Sequence, residues 1–282
     1  MPELPEVQAH AERLTEWFSG REFSGLQVLN FAVLKTAVPD PASVVGQPLR
    51  SVRRRGKYLL VEIGDLTFAV HLMQAGRLHV DTSRSLKPRG GLARFVFTPR
   101  GADESALLLT EAGKERKAGI WAMRSDTLDA PPLDRLGIDA LAVSASRLGE
   151  LFVEHNMRVH GFLRDQHHVC GLGRMLANEI CHRARVSPFA MTRQLGEAGA
   201  STIHAAMLDT IEEGLAYERT RTDMSSAADR PGRVHGRVGQ ACLTCGDTIR
   251  SVSYSGYTVA YCATCQTDGK VLADNTTSRF LK

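Results

Sequence analysis

The chain has 282 residues, enough to bury a hydrophobic core and to form about two domains. Its hydrophobic fraction of 43% and charged fraction of 23% are ordinary for a soluble protein, and no apolar run is long enough to cross a membrane. The net charge of +4 permits nucleic-acid binding without requiring it. Because the acidic N-terminus lacks the pattern of a signal peptide, we expect a cytoplasmic protein.

The stretch MPELPEV opens the chain and allows two interpretations. In the first, Pro2 and Glu3 only lead into an amphipathic helix, and Glu6 suits the positive end of the helix dipole. In the second, removal of Met1 exposes the secondary amine of Pro2. An α-amino group titrates near ~8, so at neutral pH more of it is nucleophilic than of a lysine. Such an amine can form a Schiff base with a sugar carbon, with Glu3 moving protons.

Residues 23–110 are predicted to form strands for the most part. The segments KYLLVEI and LTFAVHL flank Gly64-Asp65, a two-residue hairpin turn. The segments LARFVF and ALLL predict a second pair of strands. This half of the chain is therefore predicted to be a β domain preceded by one amphipathic helix, whose apolar stripe contains Val7, Ala11, Leu14, Trp17 and Phe18.

Two short stretches of this β region carry polar or flexible residues at strand ends. In RRRGKYLL, strand alternation predicts that Lys57 shares a face with Arg53 and Arg55. In HLMQAG, Met73 and Gln74 are predicted to occupy a turn after a strand. A methionine there can serve as a wedge in a base stack or as a lid on the core.

The pattern becomes helical after a predicted linker at 129–142, where LDAPPLDRLG breaks all periodicity. Helices are predicted over 145–155, over RMLANEICHRARV, and over 201–217 with Ser201 as the N-cap. Residues 218–236 are polar and rich in Gly, Arg and Ser, which predicts a mobile loop.

The stretch DQHHVCGLGRMLANEI places two glycines directly before a predicted helix. Gly171 and Gly173 can let backbone N–H groups approach an anion at the helix N-terminus. Since no nucleotide-binding βαβ unit surrounds them, a bound phosphate would belong to a nucleic-acid backbone, and no nucleotide cofactor is predicted. A tight turn between helices explains the glycines equally well, so this motif alone leaves both interpretations open.

Four of the six cysteines form two CxxC pairs, a pattern that indicates a reducing compartment and a metal rather than disulfides. The predicted ligands are Cys242, Cys245, Cys262 and Cys265. Four thiolates at this spacing close one tetrahedral, structural Zn²⁺ site. Cys170 and Cys181 are predicted to be small buried residues, and His167 and His168 to be a solvated pair in a loop.

Taken in order, these motifs resemble the formamidopyrimidine-DNA glycosylase/endonuclease VIII family of base-excision repair enzymes. The matching stretches are PELPEV, RRGKYLL, HL…GRL, DQ…GLG…NEI…SPF and CLTCGDTI…YCATCQTDGK. The resemblance implies an α+β multidomain fold with an N-terminal β-sandwich flanked by helices, a helix–two-turns–helix domain and a C-terminal zinc finger. The predicted boundaries are 1–128 for the sandwich, 129–142 for the linker, 143–236 for the helical domain and 237–282 for the finger.

The resemblance also implies a partner and a role for each matching residue. The partner is damaged double-stranded DNA, bound between the domains by a monomer in a bacterial-type cytoplasm. Pro2 matches the amine that attacks the sugar C1′ and expels the base, Glu3 the acid that assists sugar ring opening, and Lys57 the proton donor of β-elimination. The implied DNA contacts are His71, Gly171 and Gly173 at phosphates, and Met73, Gln74 and Ala75 in the gap left by a flipped base.

Several positions depart from the family pattern. Arg174 stands where an Asn usually follows Gly-x-Gly, His160 where a Lys is usual, and Tyr257 where the finger hairpin usually presents an Arg to phosphates. Since that Arg is also the δ-elimination donor of the family, the second strand cut is left open. Arg116 and Lys117, in GKERKAG, are approximate matches to the side chains that wedge into the base stack.

Intact Pro2, Glu3 and Lys57 favour a bifunctional DNA glycosylase and AP lyase. The altered phosphate contacts leave two alternatives: a lesion-binding protein of the same fold with weak catalysis, and a glycosylase specialised for bulky or alkylated adducts. Tyr257 itself either fails to make a phosphate contact or stacks on an exposed base or sugar. The preferred lesion is not predicted, because base selection depends on the shape of the pocket.

Overall fold

The structure, a computed structural model, describes residues 1–272 apart from 102, 104, 114, 255 and 256. The end of the predicted zinc finger, 273–282, lies outside the described residues. The chain divides into two compact units, Met1–Arg135 with Leu215–Ala227, and Leu136–Gly214 with the chain from Ala228 onwards. No helix among the described residues is long and apolar enough to cross a membrane.

The described residues of the first unit form an N-terminal α-helix, short 3₁₀ turns and two four-stranded antiparallel sheets. Its elements are α1 (Leu4–Phe18), β1 (Phe23–Val28), β2 (Leu49–Arg55), β3 (Tyr58–Ile63), β4 (Leu66–His71), β5 (Gly76–Asp81), β6 (Gly91–Phe97), β7 (Ala106–Glu111) and β8 (Gly119–Arg124). One sheet has the order β2-β3-β4-β8 and the other β1-β6-β7-β5. The predicted β-sandwich is confirmed, as are both predicted strand pairs.

Helix α1 contributes an apolar stripe to the core of the sandwich. Val7, Leu14 and Phe18 lie in the same buried cluster as the inward side chains of both sheets. Their spacing repeats at the helical period, which places them on one face. Trp17 lies roughly 90° around the helix from this stripe. Trp17 is 39% exposed, so the prediction that it belongs to the buried stripe is wrong.

The second unit is mainly helical and ends in a hairpin. Its elements are β9 (Ile138–Asp139), α2 (Ala145–Glu154), α3 (Val159–Arg164), β10 (Val169–Cys170), α4 (Arg174–Arg183), α5 (Thr192–Arg219), β11 (Ile249–Tyr254), β12 (Tyr257–Cys262) and α6 (Ala263–Gln266). The last turn of α5, from Leu215, is grouped with the first unit. The short strands β9 and β10 pair in parallel, and β11 and β12 form an antiparallel hairpin. Helices followed by a cysteine-bearing hairpin confirm the predicted fold class.

Helix α5 begins earlier than the sequence pattern predicted. It starts at Thr192 and is broken once, at Gly196, whose φ of 61° and ψ of −168° are not helical. Ser201 therefore lies inside the helix, and its prediction as the N-cap is wrong. Serine favours caps but is tolerated inside helices, so the residue type alone did not locate the start of the helix.

The polar segment 218–236 is anchored at both ends. In the first unit, the Arg13 guanidinium donates to the backbone carbonyls of three residues between 218 and 223. In the second unit, the Glu179 carboxylate accepts hydrogen bonds from the backbone N–H groups of 233–235. The predicted mobility of this loop stays a prediction for the residues between these anchors.

Candidate functional site

Pro2 and Glu3 lie directly before α1 and are both buried. Glu3 is the N-cap of the helix, and its carboxylate accepts a hydrogen bond from the Glu6 N–H. In return, Oε2 of Glu6 accepts the Glu3 N–H at 2.7 Å. This reciprocal capping box fixes the backbone on either side of Glu3. The sequence interpretation gave Glu6 only a dipole role, because a glutamate at the N-cap does not match the Ser/Thr-x-x-Glu signature of the box.

Lys57 occupies the turn between β2 and β3. The preceding residue, Gly56, has a φ of +58°, a left-handed conformation that ends the alternation of β2. The prediction that Lys57 shares a face with Arg53 and Arg55 is therefore wrong. Arg53 points to solvent and pairs with Glu62 on the neighbouring strand. Lys57, in contrast, is only 7% exposed.

Arg54 ties this turn to the N-terminal half of α1. Its Nη1 donates to the carbonyl of Gly56 at 3.0 Å, and its Nε donates to Oε1 of Gln8 at 3.1 Å. Gln8 lies five residues after Glu3, which is about 7.5 Å along the helix axis. The helix that Glu3 caps therefore also positions the turn that carries Lys57.

His71, at the end of β4, has a neutral imidazole next to Lys57. Burial lowers the pKa of His71 to about 4, and the charge of Lys57 acts in the same direction. Its Nδ1 accepts the Met73 N–H at 3.1 Å, so the single proton of the neutral ring is on Nε2. Tyr58 packs against the ring at 4.6 Å between centroids. The arrangement offers an uncharged N–H donor beside a buried lysine.

Met73 and Gln74 lie at the tip between β4 and β5, as predicted. Met73 has a φ of 52°, which is uncommon for so large a side chain. Gln74 is the more exposed of the two. The turn is tight, since a Cβ on Gly76 would lie 2.2 Å from the Leu72 carbonyl oxygen. Of the tip residues, Gln74 is thus the one presented to solvent.

Arg116 and Lys117 lie in the loop between β7 and β8, and both are exposed. Lys117 pairs with Glu115 at 2.7 Å. Since residue 114 of the same loop lies outside the described residues, the assignment of Arg116 as a wedge stays a prediction.

Gly171 and Gly173 form the turn before α4 in the second unit. Gly171 has a φ of +105°, which favours glycine. The Gln166 side chain braces the turn, accepting the Gly171 N–H at 3.0 Å and donating to the Leu172 carbonyl at 2.8 Å. Gly173 is the N-cap, and the exposed Arg174 is the first helical residue. A cation at this positive end of the helix is unfavourable unless an anion binds there.

Tyr257 provides an aromatic face on which two side chains of α3 lie. The guanidinium carbon of Arg164 is 3.8 Å from the centroid of the Tyr257 ring. The His160 ring stacks at 5.8 Å with an interplanar angle of 20°. Burial and then the charge of Arg164 lower the pKa of His160 to about 3, so its ring is neutral. The sequence gave no signal for Arg164, which matches no motif.

The buried His160 ring is poorly supplied with hydrogen-bond partners. Its exposed fraction is 2%, and neither ring nitrogen has a hydrogen-bond partner of acceptable geometry. The Asn178 side chain lies close enough to raise the pKa of the ring slightly, against the larger effect of burial. A lysine at this position would carry a charge, whereas His160 carries none at neutral pH.

The four cysteines of the CxxC pairs converge at the base of the hairpin, with all four Sγ atoms within 4.8 Å of one another. Cys242 and Cys265 are 3.9 Å apart, and Cys245 and Cys262 are 3.4 Å apart, between sulfur atoms. A tetrahedral zinc with bonds of about 2.3 Å requires sulfur separations of about 3.8 Å. The donor set therefore fits one tetrahedral metal ion. Nε2 of His182 lies 3.4 Å from the Cys242 sulfur, as an outer-shell donor would.

The other two cysteines and the histidine pair lie outside this cluster. Cys170 and Cys181 are fully buried, as predicted. His167 is exposed, but His168 stacks on Phe162 at 5.0 Å, so the prediction of a solvated pair is only half correct. Among the residues that the structure describes, no second cluster of metal ligands is found.

Comparison with known proteins agrees with this geometry. Residues 1–113 match the model of the formamidopyrimidine-DNA glycosylase N-terminal domain, and 136–226 match that of its H2TH domain. A formamidopyrimidine-DNA glycosylase of Shewanella woodyi is 30% identical over 287 residues, which cover 95% of this chain and 100% of that protein. The chain belongs to the formamidopyrimidine-DNA glycosylase family. This confirms the predicted family, and with it the enzyme class, a DNA-repair glycosylase.

Other relatives of this glycosylase extend the comparison. An uncharacterized formamidopyrimidine-DNA glycosylase-like protein of Mycobacterium tuberculosis is 39% identical over 149 residues, covering 52% of this chain and 94% of that protein. The complex of Lactococcus lactis Fpg with DNA containing an abasic site has a TM-score of 0.83 at 21% identity, covering 94% of this chain and 99% of that chain. At this identity the structural likeness concerns the fold.

Proposed function

We propose that this glycosylase excises a damaged base from double-stranded DNA with the amine of Pro2 and then nicks the strand by β-elimination. The observation that carries the proposal is the capping box of α1, which holds Pro2 buried between Met1 and the Glu3 N-cap.

The first chemical step uses Pro2 and Glu3. Once Met1 is removed, the lone pair of the Pro2 nitrogen forms a bond to C1′ of the sugar. The bond between C1′ and the base breaks, and the base leaves with the electron pair. Glu3 accepts the proton that the Pro2 nitrogen loses and donates it to the ring oxygen, so the bond between C1′ and that oxygen breaks with its electron pair on oxygen and the sugar ring opens. The product is an iminium, the Schiff base that a secondary amine forms with an aldehyde carbon.

The surroundings of Pro2 act on its amine in opposite directions. Burial and the positive end of the α1 dipole disfavour a protonated amine, which favours the nucleophilic form. The Glu3 and Glu6 carboxylates favour the protonated form, but each is engaged by a backbone N–H of the capping box. The balance supports a reactive amine with a proton acceptor adjacent to it.

The second step uses Lys57. The iminium acidifies the proton on C2′; its loss is followed by breakage of the bond between C3′ and its oxygen, and the phosphate leaves with the electron pair. Lys57 is buried, next to the neutral His71, in the turn that Arg54 ties to α1. This position suits a side chain that moves protons during elimination. We do not extend the proposal to δ-elimination, because Tyr257 stands where the family pattern has the arginine that acts as the donor in that step.

Zinc is the ion that we propose for the four cysteines. When bound, it cross-links the two cysteine pairs and so fixes the hairpin that carries Tyr257; it takes no part in the reaction. The proposed contacts to the DNA backbone are the Nε2–H of His71 and the turn Gly171–Gly173. Gln74, exposed at its tip, is the residue proposed to fill the gap left by the flipped base.

Borohydride trapping on a duplex that contains one abasic site tests the proposal. Borohydride reduces the iminium to a stable amine, so wild-type protein should become covalently linked to the DNA strand. Protein that retains Met1 or an N-terminal tag should bind the duplex but not be trapped. Equal trapping with a blocked N-terminus would contradict the role of Pro2. Tight binding without any trapping would instead support a lesion-binding protein with weak catalysis.

A further inference from the structure

Arg164 is a cation with a well-defined position and no carboxylate partner among the described residues. It is the last residue of α3, half-buried, and its guanidinium lies 3.8 Å above the Tyr257 ring. That distance is well within the range of a cation–π contact. A stacked guanidinium uses its flat face for the ring and keeps its N–H edges for an anion. Tyr257 thus holds Arg164 without neutralising it.

The surroundings of this pair are positively charged. Arg164, His235 and Arg174 are the charged or titratable groups that act on the buried His160 ring, and all three lower its pKa. Arg174 also lies at the N-terminus of α4, where the helix dipole adds to its positive potential. Two arginines from different helices therefore lie around one buried, uncharged ring.

The acidic residues of these elements are engaged elsewhere. Helix α3 and strand β12 contain no acidic residue, and α4 contains only Glu179. Burial raises the pKa of Glu179, and its carboxylate accepts three backbone N–H groups of 233–235. Asp165, which follows Arg164, accepts hydrogen bonds from His167. An anion that reaches this surface from outside thus meets two arginines and no competing carboxylate of α3, α4 or β12.

We infer that Arg164, held on the Tyr257 ring, binds a backbone phosphate of the DNA duplex and supplies the positive charge that Tyr257 does not. The inference deepens the proposed function and rests on it. Arg164 makes the contact, Tyr257 is a positioning residue, and Arg174 adds a second cation from α4. A guanidinium suits a phosphate diester because its paired N–H groups match two phosphate oxygens.

The Arg164→Met variant tests the contact, since Met preserves the length of the side chain and removes its charge. The dissociation constant for a duplex with an abasic-site analogue is measured from 50 to 300 mM salt. One phosphate contact contributes about −0.9 to the slope of log K against log salt, or roughly eightfold in affinity at 0.1 M salt. We expect Arg164→Met to make the slope shallower by about 0.9 and to weaken binding roughly eightfold at 0.1 M salt. Arg164→Lys keeps the charge and should retain most of the slope.

The matched control is Arg147→Met in the same unit. Arg147 pairs with Glu150 at 2.7 Å and Glu154 at 2.8 Å, so its charge is already neutralised. Its removal changes the net charge of the protein by the same amount as Arg164→Met. We expect the slope and affinity of this variant to equal those of the wild type.

The role of Tyr257 is tested by two substitutions. Tyr257→Phe keeps the aromatic face and should leave the slope unchanged. Tyr257→Leu removes the aromatic face, so Arg164 is no longer held in one position, and the slope of log K against log salt should become shallower. The double variant of Arg164→Met and Tyr257→Leu should have the same slope and affinity as Arg164→Met alone, because the two residues act as one unit.

The outcomes separate this inference from the proposed function. If Arg164→Met and the wild type have the same slope and affinity while the wild type is trapped on abasic DNA, the inference is wrong and the proposed function stands. If the wild type neither binds nor is trapped, both fail. If Tyr257→Phe loses as much slope as Arg164→Met, the hydroxyl rather than the ring matters, and the positioning role assigned to the ring is wrong.

Discussion

Removal of the Glu6 carboxylate should impair trapping more than it impairs DNA binding. Glu6 is fully buried, and its Oε2 accepts the Glu3 N–H at 2.7 Å. A hydrogen bond to a charged group of this kind stabilises by about 1.5–3 kcal/mol. In Glu6→Ala the Glu3 N–H loses this acceptor, and the segment that carries Pro2 is no longer held in one orientation. Each 1.4 kcal/mol corresponds to about tenfold in rate, so trapping should slow by roughly tenfold to a hundredfold.

The assay is single-turnover trapping at saturating abasic DNA, with the dissociation constant and the unfolding temperature measured on the same preparations. Glu6→Gln keeps a neutral acceptor, and neutral hydrogen bonds are about half as strong as charge-assisted ones, so it should recover part of the rate. Glu16→Ala, at an exposed position of the same helix, is the matched control and should be unchanged. A Glu6→Ala variant with a lower unfolding temperature but the wild-type trapping rate would refute a positioning role for Glu6.

Three further predictions concern the metal, the acid and the pH dependence. Metal analysis should find about one zinc per chain, and Cys245→Ser should lose it together with DNA binding; zinc-free protein with intact DNA binding would contradict this. Glu3→Gln should abolish base excision yet spare some cleavage of a preformed abasic site. Equal loss of base excision and of abasic-site cleavage would contradict the assignment of Glu3 to the first step. Burial lowers the pKa of His71 to about 4 and that of His160 to about 3 in the folded protein, below the ordinary histidine value of 6.5. The unfolded chain therefore binds more protons as the pH falls, and the unfolding free energy should decrease from pH 7 towards pH 4; urea unfolding that is independent of pH over this range would contradict it.

The features that were predicted correctly from sequence depend on residues close together in the chain. Gly64-Asp65 predicted its hairpin because a two-residue turn is specified locally. The spacing of Cys242, Cys245, Cys262 and Cys265 likewise predicted a cluster that the structure brings together. The glycines of the turn before α4 were also placed correctly, since Gly171 adopts a φ that few other residues accept.

The features that the sequence did not predict depend on contacts between distant segments or on one local exception. Strand alternation put Lys57 on the wrong face because a single left-handed glycine interrupts it. The pairing of Arg164 with Tyr257 joins residues 93 positions apart, and no motif links them. Such pairs become visible only when α3 and the hairpin are seen together. Departures from a family pattern are therefore best interpreted with their neighbours in space.

The most direct test of the account is to locate the covalent bond formed on borohydride trapping. Trapped protein is digested, and mass spectrometry identifies the peptide that carries the sugar remnant. We expect the remnant on the nitrogen of Pro2, in a peptide that lacks Met1. A remnant on the side chain of Lys57, with Pro2 unmodified, would contradict it.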